Sequence, residues 1–282
     1  MIWRLKIFLK ILISNISFFD RFVKLFGLIK VGNMASFEYS LKIFNLHFKR
    51  FQKFASKEEV VMLEIGPGLS ITSALLGYSA GFKKIYLVDV KDFAKKDVNF
   101  YKQFALEMKK KGYKIPDISK ATSREDILKK CNAEYLVDGL KSLIKIKSNS
   151  VDFVFSHSVL EHIRKKQFLN TILELKRIIK KNGISSHCID YQDHLDKSLN
   201  NLRFSERVWE SHLFASSSFY TNRIPALKLH KYFQENGFEI LEEKFGKWPK
   251  LPLDMKYLDR DFRIFEEDDL INRTSSLIVK RK

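Results

Sequence analysis

Two acidic residues in this sequence each end an apolar run of the kind found in buried strands. Glu64 ends the first run and is followed at once by Gly66 and Gly68, which permit a tight turn and let a ligand rest on bare backbone. Asp89 ends the second run about 20 residues after Gly68, the distance at which an acid accepts hydrogen bonds from ribose hydroxyls in nucleotide-binding sheets. The pattern indicates a site for a nucleoside-containing ligand.

A phosphate-bearing ligand does not fit this pattern. Ile71 stands where the fingerprint G-x-G-x-x-G requires its third glycine, and the triphosphate loop G-x-x-x-x-G-K-[ST] is absent. The carboxylate of Glu64, two residues before the glycines, repels a pyrophosphate and attracts an ammonium group. Asp138 and Gly139 follow a third apolar run, where we expect the acid to contact an adenine amine. The acids therefore favour a cationic adenosine ligand without phosphate.

The elements that must position these acids alternate between strands and helices over about 130 residues. Such alternation predicts a doubly wound, mostly parallel α/β sheet that binds its ligand at the carboxyl ends of the strands. The later predicted strands are Val151–Ser156, Ile184–Ile189, Phe238–Glu243 and Ser275–Lys280. The predicted helices include Ser119–Lys130, Val159–Lys181 and Arg223–Asn236.

The order of these motifs resembles that of class I S-adenosylmethionine-dependent methyltransferases, and most of all their type 11-like branch. The resemblance rests on Glu64-Ile-Gly66-Pro-Gly68, on the acids at 89 and 138, and on the segment 150–162, Ser-Val-Asp-Phe-Val-Phe-Ser-His-Ser-Val-Leu-Glu-His. It implies a Rossmann-like, seven-stranded sheet whose last strand runs antiparallel. It also implies S-adenosyl-L-methionine as cofactor. By that likeness the cofactor pocket contains Glu64, Gly66, Gly68, Asp89, Asp138, Gly139, Ser156 and His157.

Histidines and acids near the predicted fourth and fifth strand ends are candidates for catalysis. A hydroxyl acceptor must lose its proton during methyl transfer, and a histidine is suited to accept it. The predicted catalytic residues are His157, His187, Asp190 and His194, with the aspartate as a basic or orienting partner. Each histidine alone is also compatible with a helix cap or a buried structural role. Their clustering indicates that at least one of them faces the substrate.

The segment 193–225 lies between the fifth strand and the next helix, where class I enzymes commonly carry a lid or acceptor pocket. Polar and aromatic side chains in it are suited to grip a sugar ring or a phosphate. The predicted substrate-binding residues are Arg203, Trp209, Tyr220 and Arg223. The alternative is a packed helical cap with solvent-facing arginines.

The segments 185–194, 201–211 and 219–223 are similar to methyltransferases encoded with bacterial surface-glycan genes, which implies O-methylation of a glycan or another small acceptor and a role in polysaccharide biosynthesis. Glu161-His162 resembles part of the Glu-x-x-Glu-His metal cluster of quinone-pathway O-methyltransferases. Ser158 stands in place of the first glutamate, and the two cysteines lack a zinc-type spacing, so no metal is predicted.

Two alternative functions remain open. The net charge of +18 suggests an RNA methyltransferase. Against nucleic acid as a partner, no Asn/Asp-Pro-Pro-Tyr motif follows the fourth strand and no RNA-binding module is recognisable. The other alternative is a membrane-surface protein that binds the cofactor without catalysis. The three acids argue against it.

The first 30 residues have a broad apolar side and a basic side if they are helical. Two interpretations are open: a helix that covers the main domain, or an in-plane helix on an anionic membrane. We predict a helical extension at 1–56 and a methyltransferase domain at 57–282 with the insertion at 193–225. Cysteine usage indicates the cytoplasm. If residues 1–30 form the in-plane helix, they would make peripheral contact with the inner membrane surface.

Overall fold

The computed structural model describes Ile7, residues 36–55 and residues 60–282. The helices are α1 (Phe37–Phe54), α2 (Thr72–Ser79), α3 (Val98–Lys110), α4 (Arg124–Lys130), α5 (Leu140–Lys145), α6 (Lys165–Ile178), α7 (Glu206–Trp209), α8 (His212–Ala215), α9 (Ala226–Glu235) and α10 (Glu267–Leu270). The strands are β1 (Val61–Ile65), β2 (Lys84–Val88), β3 (Ala133–Leu136), β4 (Val151–His157), β5 (Ile179–Asp190), β6 (Phe238–Lys247) and β7 (Asn272–Arg281).

The strands form one seven-stranded sheet in the order β3-β2-β1-β4-β5-β7-β6. Neighbouring strands from β3 to β5 run parallel, whereas β7 runs antiparallel to both β5 and β6. The order reverses between β1 and β4, which makes the carboxyl ends of these two strands the expected ligand crevice. The doubly wound sheet with an antiparallel last strand is confirmed.

Alternating side chains of the strands pack into two separate apolar layers. Met62 and Phe155 belong to the layer formed with α1, α2, α3 and α4. Leu63 and Val154 belong to the layer formed with α5, α6 and α9. Because successive strand residues point to opposite faces, neighbouring residues at a strand end lie in different chemical surroundings.

Helix α1 packs on the sheet. Ser36 caps it by accepting a hydrogen bond from the Tyr39 backbone N–H. Phe51 is 4% exposed and stacks on Phe153 of β4 with ring centroids 4.7 Å apart. The helix therefore shares the core of the sheet and brings His47 to the ends of β4 and β5.

The predicted membrane helix at residues 1–30 lies outside the described residues, apart from Ile7. That side chain is buried in a cluster with Trp209, Phe219 and Tyr220 of the insertion. Among the described residues, no helix has both the length and the apolar character that a membrane span requires. Membrane contact, the boundary at residue 56 and the cellular location stay predictions.

Three predicted helices differ from the observed ones. The helix expected at 119–130 begins at Arg124, because Ser123 and Asp126 form a reciprocal capping box. The helix expected at 159–181 is divided into a short 3₁₀ turn at Leu160–His162 and α6. Helix α6 ends at Ile178. The next residues belong to β5, where residues 180–183 form a bulge, because Val151 pairs with Ile179 and Phe153 pairs with Ile184. The helix expected at 223–236 is α9 and starts after Pro225.

Candidate functional site

The turn after β1 holds two glycines in backbone conformations that other residues rarely adopt. Gly66 has φ +73° and Gly68 has φ +65°. A Cβ atom at Gly66 would lie 2.4 Å from Cγ2 of Val159, so no side chain fits there. A Cβ atom at Gly68 would meet no atom within 4 Å. The backbone of Gly68 therefore borders open space, where a ligand can approach closely.

The carboxyl group of Glu64 at the end of β1 is buried, with 2% of the residue exposed. Its Oε2 atom has no hydrogen-bond partner among the described residues. Burial raises the pKa of Glu64 to about 8; a hydrogen bond with Ser73 lowers it, and the nearby Asp89 carboxylate raises it further. A buried carboxyl with an unpaired oxygen is destabilising until a positive group binds it. Glu64 therefore suits an ammonium-bearing ligand.

Asp89 joins the ends of three strands. Its Oδ2 accepts a hydrogen bond from the Gly68 backbone N–H at 3.0 Å, and its Oδ1 accepts one from the Val90 N–H at 2.7 Å. The Gly139 N–H donates to the carbonyl oxygen of Asp89 at 2.8 Å. Burial raises the pKa of Asp89, and backbone hydrogen bonds from Val90, Gly68 and Lys91 lower it. A carboxylate has about four acceptor sites, so one remains for a ribose hydroxyl. The acid is thus held beside the glycine turn, where the ribose role requires it.

Asp138 lies farther out on the same rim. Its side chain is 56% exposed and pairs with Lys145, whose Nζ is 3.1 Å from Oδ2. Its backbone N–H donates to Ser142 Oγ at 2.9 Å, which fixes the start of α5. The adjacent Gly139 has φ +55° and lies against Val90. The contact of Asp138 with an adenine amine stays a prediction.

Ser156 and His157 point to opposite faces of the sheet. Ser156 is fully buried, and its Oγ lies 2.7 Å from Nδ1 of His187 in the layer with α9. The Ser156 hydroxyl therefore holds His187 and does not line an open pocket, contrary to the sequence-based expectation. His157 is partly buried on the α1 face, and its Nδ1 lies 3.2 Å from Nε2 of His47. Burial lowers the pKa of His157 to about 4, with the charges of Arg50 and Lys42 adding to the effect.

The prediction of His187 as a catalytic base is wrong. The side chain has no exposed area, and both ring nitrogens are occupied, Nδ1 by Ser156 Oγ at 2.7 Å and Nε2 by Ser185 Oγ at 2.6 Å. Its ring packs on Phe233 of α9 with centroids 5.1 Å apart. Burial lowers its pKa to about 3, so the imidazole is neutral and structural.

Asp190 and His194 lie where β5 meets the insertion. The backbone N–H of Asp190 donates to Oε1 of Glu161 at 3.3 Å. His194 stacks on His162 with ring centroids 4.9 Å apart, and Nδ1 of His162 lies 2.8 Å from the Tyr220 carbonyl oxygen. Burial lowers the pKa of His162 to about 4, and His194 lowers it further. These contacts connect the 3₁₀ turn after β4 with the insertion.

Two of the predicted substrate-binding residues pack inside the insertion. Trp209 is 0% exposed and its Nε1 donates to the Thr221 carbonyl oxygen at 2.7 Å. The Tyr220 hydroxyl donates to Oε1 of Glu210 at 2.7 Å, and the residue is 4% exposed. Neither side chain is placed to grip an acceptor. For these two residues the structure matches the alternative of a packed helical cap.

The two predicted arginines differ in position. The Arg223 side chain is 0% exposed; it donates to the carbonyl oxygens of Asn201 and Phe204 and pairs with Glu206. Arg203 donates from Nε to Asn200 Oδ1 and stacks on the ring of Tyr257. Arg223 lines the cleft described next, whereas Arg203 does not.

A cleft lies between the end of β5 and the insertion. Its walls are formed by Glu161, Asp190, Tyr191, Leu199, Asn201, Leu202, Thr221, Asn222, Arg223, Ile224, Pro225, Ala226, Asp269, Leu270 and Asn272. Four of these residues carry a buried polar atom that has no hydrogen-bond partner among the described residues. The four atoms are Glu161 Oε2, Asn201 Oδ1, Arg223 Nε and Asn272 Oδ1. Of the four predicted catalytic residues, Asp190 lines this cleft.

Sequence reasoning assigned no acceptor-binding role to Glu161, Asn201 or Asn272. Glu161 was weighed only as half of a metal motif, although burial raises its pKa well above the usual value. The two asparagines come from chain segments 71 residues apart, a separation that no local motif encodes. Adjacent asparagines at 200 and 201 inside an otherwise apolar turn were the available signal.

Comparison with known proteins agrees with this geometry. Residues 63–186 match the family described as Methyltransferase domain, a segment that contains the glycine turn, Asp89 and the end of β4. This segment is similar to methyltransferase domains, which supports an S-adenosylmethionine-dependent methyltransferase. Its cofactor is S-adenosyl-L-methionine, whose ammonium and ribose diol match the buried carboxyl of Glu64 and the acid at Asp89.

The overall shape is similar to that of several solved structures. A SAM-dependent methyltransferase from Methanosarcina mazei is 14% identical, with 82% of this chain and 95% of that chain covered and a TM-score of 0.49. The YcgJ protein of Bacillus subtilis is 14% identical, with 83% and 97% covered and a TM-score of 0.45. Phosphoethanolamine N-methyltransferase 2 of Haemonchus contortus, in complex with S-adenosyl-L-methionine, is 15% identical, with 86% and 52% covered and a TM-score of 0.47. No curated protein matches the chain.

Gly68 and Gly81 provide a matched pair of substitutions. Both have positive φ, and a Cβ atom at either would meet no atom within 4 Å. Gly68→Ala and Gly81→Ala should each destabilise the fold by about 1–2 kcal/mol, the strain of a left-handed alanine. Gly68→Ala alone should weaken S-adenosylmethionine binding by about tenfold or more, equivalent to about 1.4 kcal/mol. Calorimetry and thermal melting measure the two effects, and equal affinity in both variants would contradict the placement of the cofactor at this turn.

Glu64→Gln should remove a proton-linked part of cofactor binding. With its pKa raised to about 8, Glu64 is mostly protonated in the free protein at pH 7, and pairing with an ammonium requires its carboxylate. Wild-type binding should therefore release close to one proton at pH 7 and strengthen as the pH rises to about 8. Glu64→Gln should bind about 10- to 100-fold more weakly at pH 8, the loss of a charged hydrogen bond.

The same substitution should affect the free protein in the opposite direction. A carboxyl whose folded pKa is raised loses stability as the pH rises from its unfolded value through its folded one. Above pH 7, Glu64→Gln should therefore melt at a higher temperature than wild type, whereas the exposed control Glu107→Gln should not. Calorimetry in buffers of different ionisation enthalpy counts the protons, and unchanged release in Glu64→Gln would refute the assignment.

Proposed function

We propose that this protein is an S-adenosylmethionine-dependent O-methyltransferase that acts on a hydroxyl group of a glycan or another small polyhydroxyl acceptor. The acceptor binds in the cleft between the end of β5 and the insertion. The observation that carries this proposal is the set of four buried polar atoms without partners on the walls of one cleft. Native structures leave few such atoms, because each costs about 1–3 kcal/mol.

The chemistry of the cleft favours a ligand that donates hydrogen bonds. The amide oxygens of Asn201 and Asn272 are acceptors, Nε of Arg223 is a donor, and Oε2 of Glu161 accepts when the carboxyl is ionised and donates when it is protonated. Asp190 and Asp269 also line the cleft. A sugar offers several hydroxyl donors in fixed geometry together with acceptor oxygens for the arginine. An anionic acceptor such as a phosphate is disfavoured by the same set of acids.

Asp190 is the chain's own group best placed to take the acceptor's proton. When bound, the cofactor supplies an electrophilic methyl group, and alignment with the acceptor provides much of the rate. Asp190 lies at the end of β5, and its Oδ1 is oriented by hydrogen bonds from the backbone and side chain of Gln192 at 2.9 and 3.0 Å. Burial raises the pKa of the neighbouring Glu161 well above its usual value and so disfavours the ionised form of that carboxyl.

A methyl-transfer screen over nucleotide sugars and lipid-linked glycans should identify an acceptor, and two variants should then separate chemistry from binding. Asp190→Asn should lower kcat by about 100-fold or more, the contribution of a general base. Asn201→Ala should mainly raise KM, by about 3- to 10-fold for one hydrogen bond. Both should retain wild-type cofactor affinity, and Glu267→Gln, on the exposed side of α10, should match wild type throughout. Full activity in Asp190→Asn, or a KM that does not change in Asn201→Ala, would contradict the cleft as the acceptor site.

A further inference from the structure

Two histidines and a cysteine converge between α1 and the ends of β4 and β5. His47 comes from α1, while His157 and Cys188 are directly paired neighbours on the two strands. One ligand atom from each, Nε2 or Nδ1 of the imidazoles and Sγ of the thiol, lies within 4.8 Å of the other two. We propose that these three side chains bind a zinc ion, in a site that is independent of the acceptor cleft.

The distances suit tetrahedral coordination. Zinc–nitrogen bonds of about 2.0–2.1 Å place two imidazole nitrogens about 3.3 Å apart on one edge of the tetrahedron. Nε2 of His47 and Nδ1 of His157 are 3.2 Å apart. The sulfur of Cys188 lies on the same face of the sheet as His157, because paired residues of parallel strands share a face. A bound zinc ion would replace the hydrogen bond between the two rings with two coordinate bonds.

Polar groups around the three side chains orient them toward a common centre. Ser186 Oγ lies 2.8 Å from Nδ1 of His47, which turns the opposite nitrogen, Nε2, toward the other two ligands. Metal-binding histidines almost always have their second nitrogen held in this way. Nη1 of Arg50 donates to Sγ of Cys188 at 3.2 Å. A hydrogen bond from a cation favours the thiolate, the form that binds metals.

The protonation states agree with a ligand role. Burial, the adjacent His157 and Arg50 lower the pKa of His47 well below its usual value, and the pKa of His157 is also low, so both imidazoles are neutral and able to coordinate. Burial raises the pKa of the Cys188 thiol, Arg50 opposes that rise, and a bound metal displaces the thiol proton.

The ligand set and its charge also identify the type of metal and site. Imidazoles with a thiolate suit zinc, whereas magnesium and calcium require oxygen ligands. Three protein ligands leave the fourth position of the tetrahedron for an exogenous ligand. Arg50 and Lys42 add positive charge near the site, so an anion such as hydroxide is favoured at that position. The arrangement is that of an open, reactive zinc site.

Cobalt(II) provides a direct probe, because a thiolate bound to cobalt gives a charge-transfer absorption that imidazole alone does not. The full-length, tag-free protein should bind one Co²⁺ per chain, with this absorption, and zinc should displace it. Cys188→Ala should lose the absorption and at least about tenfold in affinity, the lower limit for disturbing a metal site. The matched control is Cys131→Ala, since Cys131 is the other cysteine and is buried outside the cluster. It should behave as wild type.

His157→Asn is a second variant at a partly exposed position, and it should weaken Co²⁺ binding to a similar extent. Circular dichroism of each metal-free variant confirms that it folds. The proposal is overturned if Cys188→Ala binds Co²⁺ as wild type does, or if wild type shows no thiolate-to-cobalt band. Neither readout needs the cofactor or an acceptor, so the outcome does not depend on the methyltransferase proposal.

Discussion

The buried carboxyl of Glu64 is the constraint on which the site depends. It ends the central strand β1, has an oxygen without a partner among the described residues, and has a pKa raised to about 8 by burial. A protein retains such a group at a cost in stability, because a buried charge is unfavourable unless it is paired. A positive ligand group offsets that cost on binding. In the predicted cofactor site, the glycine turn and Asp89 lie beside it, where the remainder of the ligand would bind.

At the ends of β4 and β5, successive side chains of each strand point to opposite faces of the sheet and so have different neighbours. His157 and Cys188 lie on the face covered by α1, while Ser156 and His187 lie on the face covered by α9. Residues adjacent in sequence therefore have different roles: His187 is locked between two serines, and His157 meets His47. The acceptor cleft is a third location, beyond the end of β5. The residues that line the proposed acceptor cleft and the three residues of the candidate zinc site are therefore different ones.

The sequence predicted what local patterns encode. Apolar runs ending in an acid placed Glu64 and Asp89, and the alternation of elements placed the sheet. Sequence-based prediction failed for side chains whose surroundings depend on tertiary packing. His187 packs on Phe233 and Trp209 shares a cluster with Ile7, both distant in sequence, and 110 residues separate His47 from His157. Helix α1 precedes β1 in the chain, and no motif spacing predicts that it packs against the ends of β4 and β5. The cluster of two histidines and a cysteine was therefore not predicted.

The most direct test of the account is calorimetric titration of the wild-type chain with S-adenosylmethionine, ATP and NAD⁺ in parallel. A site built on an unpaired carboxyl and a phosphate-repelling turn predicts saturable binding of S-adenosylmethionine at one site per chain and no binding of the two phosphate-bearing ligands. Binding of ATP or NAD⁺ with similar affinity, or no heat with S-adenosylmethionine, would contradict it.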